Sequence, residues 1–237
     1  MNHLRDKVAY ITGGSKGIGY GIAKILLDNG MRVAITSRTL SAAKSAAEAL
    51  TNDPSRILAI ESDVTSLASE MTSAKMVVDN FGGLDVLIAN AGVGHFSPID
   101  SLSEADWKST IDTNLTGVFN SVKASLEALK KSKGYIVTMA SLAGANFFEN
   151  GAAYNASKFG LVGFTQAIML DLRKYGIKVT TVMPGSVATH FNDHVPSPAD
   201  SWKIQPEDIG EIVLDLLNMH PRTLPSKIEV RPSLPAK

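Results

Sequence analysis

Residues 11–19 read Ile11-Thr12-Gly13-Gly14-Ser15-Lys16-Gly17-Ile18-Gly19, and the fold is decided there. An apolar run, 8–12, leads into this stretch and an amphipathic one, 19–29, leads out of it. A strand that passes to a helix through three spaced glycines is the junction where a parallel α/β sheet receives a pyrophosphate. Gly13 permits a tight turn, Gly17 lets backbone approach a phosphate with no Cβ in the way, and Gly19 lets the helix lie close to the sheet. The helix start offers unpaired N–H groups and a positive dipole end to an anion. Ser15, Lys16 and Ile18 complete the expected phosphate-contacting turn.

Outward from this turn the same alternation continues. Further strands are expected at 32–36, 57–61, 86–89, 135–139, 178–182 and 227–230, all short and mostly rich in Val, Ile and Leu. They show little apolar–polar alternation, as strands covered on both faces do. Helices are expected at 19–29, 41–50, 67–80, 104–131, 152–175 and 207–218. Pro206 marks a start; Gly30 and Gly176 mark stops. Strand–helix–strand repetition implies right-handed crossovers. The expected fold is therefore α/β: one Rossmann-type, doubly wound, parallel seven-stranded sheet with helices on both faces. Residues 1–237 read as a single domain, and the longest loop, 184–205, contains Pro196 and Pro198 and is long enough to be functional.

Bulk properties agree with a globular chain. Hydrophobic residues make up 44% and charged residues 19% of 237 positions. The 23 basic and 23 acidic side chains balance, so neither nucleic acid nor a membrane surface is an expected partner. No apolar run approaches the roughly 18 residues that span a bilayer, and the start Met1-Asn2-His3-Leu4-Arg5-Asp6 leaves no room for a signal peptide. With no cysteine, disulfides, thiolate catalysis and cysteine-held metal are excluded. His95, His190 and His194 lack a compact ligand spacing, so no metal site is expected. The cytoplasm is the expected location.

A second landmark lies downstream. Tyr154 and Lys158 are four residues apart in an expected helix and share a face, while Ser141 follows the fifth strand at the carboxyl end, where such sheets bind ligands. A carbonyl that accepts a hydride becomes an alkoxide and needs a proton. A phenol has a pKa near 10, which a nearby ammonium lowers. Tyr154 is thus the expected proton donor, Lys158 the cation, and Ser141 the hydroxyl that polarises the carbonyl oxygen. Asn114, within Asp112-Thr113-Asn114-Leu115-Thr116-Gly117, is a poor residue for the interior of a long helix and so is a further candidate.

The threonine followed by G-x-x-x-G-x-G, with Ser141, Tyr154, Lys158 and Asn114 in this order, resembles the short-chain dehydrogenase/reductase family. The resemblance runs from about residue 7 to 230. Within the family it extends to bacterial 3-ketoacyl-carrier-protein reductases and, in the segment 224–232, to sepiapterin-reductase-like members. It implies that Lys158 also holds the nicotinamide ribose and that Asn114 holds a water relaying protons through the lysine. Asp63 and Val64 resemble the pair beside the adenine ring. Asn90, Ala91 and Gly92 follow the fourth strand; Ala89 stands where the family commonly has another asparagine. Pro184, Gly185, Val187 and Thr189 resemble the segment against the nicotinamide.

The dinucleotide is expected to be NADP(H). An NAD-selective site places an acid about 20 residues past the glycines. Here the second strand ends in Ser37-Arg38, and Arg38 with Lys16 suits a 2′-phosphate. Val93, His95, Ala143, Phe147, Phe148, His190, Phe191 and Trp202 are candidate walls for a small, partly apolar carbonyl substrate. The resemblance also implies a homo-oligomer, a tetramer or a dimer. The leading expectation is an NADPH-dependent reductase of a ketone or aldehyde, of 3-ketoacyl or diketone type among others. An NADP-dependent alcohol or hydroxy-acid dehydrogenase working oxidatively, and a non-catalytic NADP-binding sensor, are the alternatives.

Overall fold

The computed structural model describes residues 3–234; Met1 and Asn2, at the expected leaderless start, lie outside the described residues. The strands are β1 (Val8–Ile11), β2 (Arg32–Ser37), β3 (Ile57–Glu61), β4 (Val86–Ala89), β5 (Tyr135–Met139), β6 (Lys178–Pro184) and β7 (Lys227–Val230). They form one sheet in the order β3-β2-β1-β4-β5-β6-β7, and every pairing is parallel. The order reverses between β1 and β4, and a crevice beyond the carboxyl ends of the strands is the place where such sheets take ligands.

The helices are α1 (Gly17–Asp28), α2 (Leu40–Leu50), α3 (Leu67–Phe81), α4 (Glu104–Ile111), α5 (Gly117–Ser132), α6 (Ala152–Leu172) and α7 (Pro206–Asn218). Their ends follow local chemistry. Thr39, Ser66 and Ser103 cap α2, α3 and α4 by accepting a backbone N–H from Ala42, Ser69 and Asp106. Pro206 opens α7. Gly176, at φ +74°, closes the last turn after α6.

Alternate residues of each strand serve different layers. Ile11, Ile35, Ile88, Val137 and Val182 pack with Ile22 and Leu26 of α1 and with Ile209, Val213 and Leu216 of α7. Tyr10, Leu87, Ile136 and Met183 pack on the other face with Val77 of α3, Val118 and Val122 of α5, and Leu161 and Met169 of α6. Burying an isoleucine or leucine of this kind contributes about 1.5–3 kcal/mol, so the central strands are the rigid part on which their carboxyl-end loops are mounted.

The expected helix over 104–131 is interrupted. Residues Asp112–Thr116 form a π-helical turn, closed by a hydrogen bond from the Gly117 N–H to the Asp112 carbonyl, five residues back. One extra residue in a turn leaves the apolar stripe on either side intact, which is why periodicity alone reads α4 and α5 as one rod. The 152–175 expectation differs only in its final turn, where Arg173–Tyr175 tightens to a 3-10 helix.

Candidate active site

The glycine turn has the shape expected of it. Gly13 and Gly17 have φ of +65° and +58°, in the left-handed region that favours glycine. A Cβ on Gly13 would lie 2.9 Å from the Ala91 Cα, and one on Gly17 would lie 3.3 Å from Thr189. The segments after β4 and β6 therefore close on the turn from two sides. Asn90 fastens the first of them: its side-chain amide donates to the carbonyls of Thr12 (2.9 Å) and Gly13 (3.1 Å). The Thr12 hydroxyl returns the tie by accepting from the N–H groups of Asn90 and Ala91 at 3.0 and 3.1 Å. Lys16 gives α1 no side-chain cap, and the first turn holds no acid, so the amino end of α1 remains open to an anion.

At the end of β2, Arg38 and Lys16 are both exposed. Among the described residues neither forms an ion pair. Glu61 stands opposite Ser37 in the sheet, but its carboxylate accepts the Leu40 N–H at 2.9 Å. Asp63, beyond β3, turns its carboxylate to the backbone and hydroxyl of Thr65 (2.9 and 2.8 Å). Val64 is buried, and its carbonyl accepts from Asn120 at 2.8 Å.

The π turn aims Asn114 inward. The side chain is fully buried; its oxygen accepts the Val93 N–H at 2.8 Å, and its amide donates to the Val93 carbonyl (2.9 Å) and the Ser157 hydroxyl (3.1 Å). It thereby joins the loop after β4 to α6. A Cβ on Gly92 would approach the Asn114 oxygen to 3.2 Å and the Lys158 ammonium to 3.8 Å, so both groups border the same small space.

Ser141 follows β5. Its hydroxyl accepts the Ala143 N–H at 3.1 Å and lies 3.5 Å from the Pro184 carbonyl. One turn along α6, Lys158 is buried and donates to the Met139 carbonyl at 2.9 Å; its Nζ lies 5.6 Å from the Tyr154 ring centre. Burial pushes the ammonium down to about 8. Burial likewise pushes the Tyr154 phenol up to about 12, opposed by a hydrogen bond with Ser141. This corrects the expectation that the neighbouring ammonium brings the phenol below its ordinary value. Withdrawal from water outweighs the other influences, and Lys158 spends a hydrogen bond on Met139.

Not every expected wall residue gathers here. Phe148 and Phe191 do, with ring centres 6.4 and 5.7 Å from that of Tyr154. Phe147 does not: it is 82% exposed and stacks on Phe159 at 5.0 Å. His95 pairs with Asp106 at 3.4 Å, and the Ala143 backbone serves Ser141 and Asn155. His190 is exposed, and Trp202 lies beneath the Lys203 ammonium. Phe96, absent from the sequence expectation, has its ring edge-on to Tyr154 at 5.3 Å. A lone phenylalanine in a loop has no periodicity to betray it. Asp200 was also missed. It is buried and anchors the long loop by accepting from His194 (2.8 Å) and the Ser197 N–H (2.9 Å) and pairing with Lys203 (2.6 Å). Lys203 first, then Ser197 and His194, holds its carboxyl well below the usual range.

Val187 pairs with Ile204 in an isolated parallel bridge, so the segment after β6 is held as a strand-like arm. The Thr189 hydroxyl accepts the Phe191 N–H at 3.3 Å. Among the described residues no three His, Asp or Glu side chains gather into a metal-holding group, and no helix is long and apolar enough to cross a membrane.

Known proteins resemble this chain in sequence and fold. Residues 7–199 match the family described as short chain dehydrogenase. An uncharacterized oxidoreductase of Staphylococcus aureus strain MRSA252 is 34% identical over 98% of the chain and all of its own length. The structure of an alcohol dehydrogenase from Thermococcus sibiricus, complexed with 5-hydroxy-NADP, superposes with a TM-score of 0.90 at 28% identity and covers 97% of both chains. A metagenomic short-chain oxidoreductase in complex with NADP gives 0.85 at 32% identity, covering 98% of this chain and 99% of its own. From the sheet order, the glycine turn and these likenesses together, the chain belongs to the short-chain dehydrogenase/reductase family of oxidoreductases.

Proposed function

We propose that the protein is an NADPH-dependent carbonyl reductase that delivers hydride to a ketone or aldehyde, with Tyr154 as proton donor. The observation that carries this reading is that Tyr154 reaches Ser141 and Lys158, while Asn114 and Lys158 both border Gly92, next to the Ala91 on which Gly13 of the glycine turn closes. The residues fit NADP(H). Gly13 and Gly17 keep Cβ atoms out of the turn, α1 begins with no side-chain cap, and Arg38 and Lys16, exposed and without an ion pair among the described residues, are suited to a 2′-phosphate. Ser15, Ile18 and Gly19 extend the phosphate turn. By the family resemblance, Asp63 and Val64 would border the adenine, Asn90, Ala91 and Gly92 the ribose, and Pro184, Gly185, Val187 and Thr189 the nicotinamide. NADP bound to the similar metagenomic oxidoreductase supports this choice.

NADPH, when bound, supplies the hydride that adds to the carbonyl carbon. As the carbonyl π pair moves onto oxygen, Ser141 donates a hydrogen bond to that oxygen. Tyr154 gives it the phenolic proton. A phenol raised to about 12 is fully protonated at neutral pH and so is loaded as an acid before each turnover. Lys158 stabilises the phenolate that remains, and Asn114, next to it, positions the route by which a proton returns. The likeness to an alcohol dehydrogenase favours one second reading, in which Tyr154 runs the same steps backwards as a base during alcohol oxidation.

NADPH consumption against a panel of ketones, aldehydes and diketones tests the proposal. Tyr154→Phe is expected to abolish turnover and to leave NADPH binding largely intact. A wild type that binds NADPH but reduces nothing would instead identify a nucleotide sensor. The reading includes a cytoplasmic homo-oligomer, a tetramer or dimer. The exposed Phe119 on α5 lies against Phe164 of α6, an apolar face that suits a second copy. A monomeric mass by light scattering at micromolar concentration would refute the oligomer.

A further inference from the structure

Three loops each bring one phenylalanine to the Tyr154 ring. Phe96 comes from the loop after β4, Phe148 from that after β5 and Phe191 from that after β6. Their ring centres lie 5.3, 6.4 and 5.7 Å from that of Tyr154, and Phe96 also meets Phe148 at 5.7 Å and Phe191 at 6.3 Å. The loops are tied together, since Ser97 donates its N–H to the Asn150 carbonyl at 3.0 Å. Phe191 rests on Gly94, where any Cβ would lie 2.5 Å from its ring. The rings are nevertheless 39%, 46% and 36% exposed. Apolar aromatic surface left in contact with water around a reacting group is surface for a ligand.

The loops that carry these rings, with the start of α4, hold more acids than bases. Segments 93–108, 145–151 and 189–205 carry six carboxylates, Asp100, Glu104, Asp106, Glu149, Asp193 and Asp200, against the two lysines Lys108 and Lys203. Lys108 and Lys203 pair with Glu104 and Asp200, and His95 and His194 with Asp106 and Asp200, which leaves Asp100, Glu149 and Asp193 as exposed carboxylates with no ion pair among the described residues. The field at such a rim repels an anion approaching the crevice.

Resting on the carbonyl-reductase reading, we propose that the acceptor is a small, uncharged ketone or aldehyde bearing a flat aromatic or conjugated group beside its carbonyl. Phe96 and Phe191 select that group. An acyl thioester on an acidic carrier protein, or on coenzyme A with its phosphates, meets both the wrong charge and the wrong shape. A flat group lies edge-to-face or offset against these rings, which is worth about two- to tenfold per ring pair.

The test compares kcat/KM for matched acceptors with the full-length wild type and NADPH. Acetophenone and cyclohexyl methyl ketone share a carbon skeleton and differ in carrying a flat, conjugated ring or a puckered, saturated one, and conjugation by itself slows hydride addition to acetophenone, so a preference for it reports binding; 4-acetylbenzoate adds a negative charge; acetoacetyl thioesters of carrier protein and coenzyme A complete the set. Acetophenone is expected to exceed the cyclohexyl ketone about tenfold or more. It should also exceed 4-acetylbenzoate, by a margin that narrows as salt is added. Phe96→Leu and Phe191→Leu should each shrink the phenyl-to-cyclohexyl ratio. Equal or faster reduction of the cyclohexyl ketone or of a thioester overturns the assignment of acceptor while the reductase reading stands. No reduction of any of these compounds, with NADPH bound, overturns both.

Discussion

The ammonium of Lys158 lies 5.6 Å from the centre of the Tyr154 ring, one helical turn along α6. The two groups are shifted by the same cause in opposite directions along the pH scale: burial takes the phenol up to about 12 and the ammonium down to about 8. For reduction, Tyr154 must carry its proton and Lys158 its charge. The phenol meets that condition at every ordinary pH, so the limit comes from the lysine. The reduction kcat is expected to hold level below pH 8 and to fall as pH rises through about 8. A pH–rate profile checks this. A plateau that extends to pH 10 would show that the charge on Lys158 is not needed.

Burying that ammonium also costs stability. A lysine whose pKa is lower in the folded protein than in the unfolded chain destabilises the fold. The penalty is full below the folded value and vanishes above the ordinary value of 10.5. Lys158→Met removes the penalty and leaves the Met139 carbonyl without its donor, an offset of about 1–3 kcal/mol. The variant is expected to lose turnover and yet melt no lower than wild type at pH 7. Its advantage, at most about 2 kcal/mol by this balance, should diminish by pH 9.5. Melting curves at the two pH values decide it.

Cofactor choice is expected to rest on Arg38. Arg38→Asp replaces a free cation with a charge that repels a 2′-phosphate. The ratio of kcat/KM for NADPH over NADH should drop by about ten- to a hundredfold, the worth of one charged hydrogen bond. An unchanged ratio would assign discrimination elsewhere.

Asn114→Ala strips both partners from the Val93 backbone. The lost pairing should cost about 1–3 kcal/mol, read as a lower Tm, together with a fall in kcat. Asn114→Asp keeps the acceptor for the Val93 N–H and should recover part of the stability. A variant of full stability and full activity would remove Asn114 from the site.

Much of this was visible in the residues. The bounds of β3, β4, β5 and β7 coincide with the expected runs; β4 and β5 are short, mostly apolar blocks buried throughout, whereas β7 is an edge strand in which Ile228 and Val230 alternate with Lys227 and Glu229. The residues of the glycine turn lie at the junction where their spacing put them. What stayed hidden is tertiary. The π turn adds one residue without disturbing the apolar stripe. Phe96 and Asp200 act through neighbours from other loops, and Phe147, beside the well-placed Phe148, points to Phe159 instead. The phenol pKa was misjudged because charge proximity can be read from spacing, whereas depth below the surface cannot.

The wide turn at Asp112–Thr116 also constrains how the chain can change. Deleting one of its five residues would restore regular winding and straighten α4 and α5 into a continuous rod. Because the extra residue is taken up within that one turn, Val118, Val122 and Leu129 would keep the sheet they now cover. The bulge that presents Asn114 is thus separable from the hydrophobic layer behind it: a single deletion would regularise the helix and unseat Asn114 while that layer stays in place.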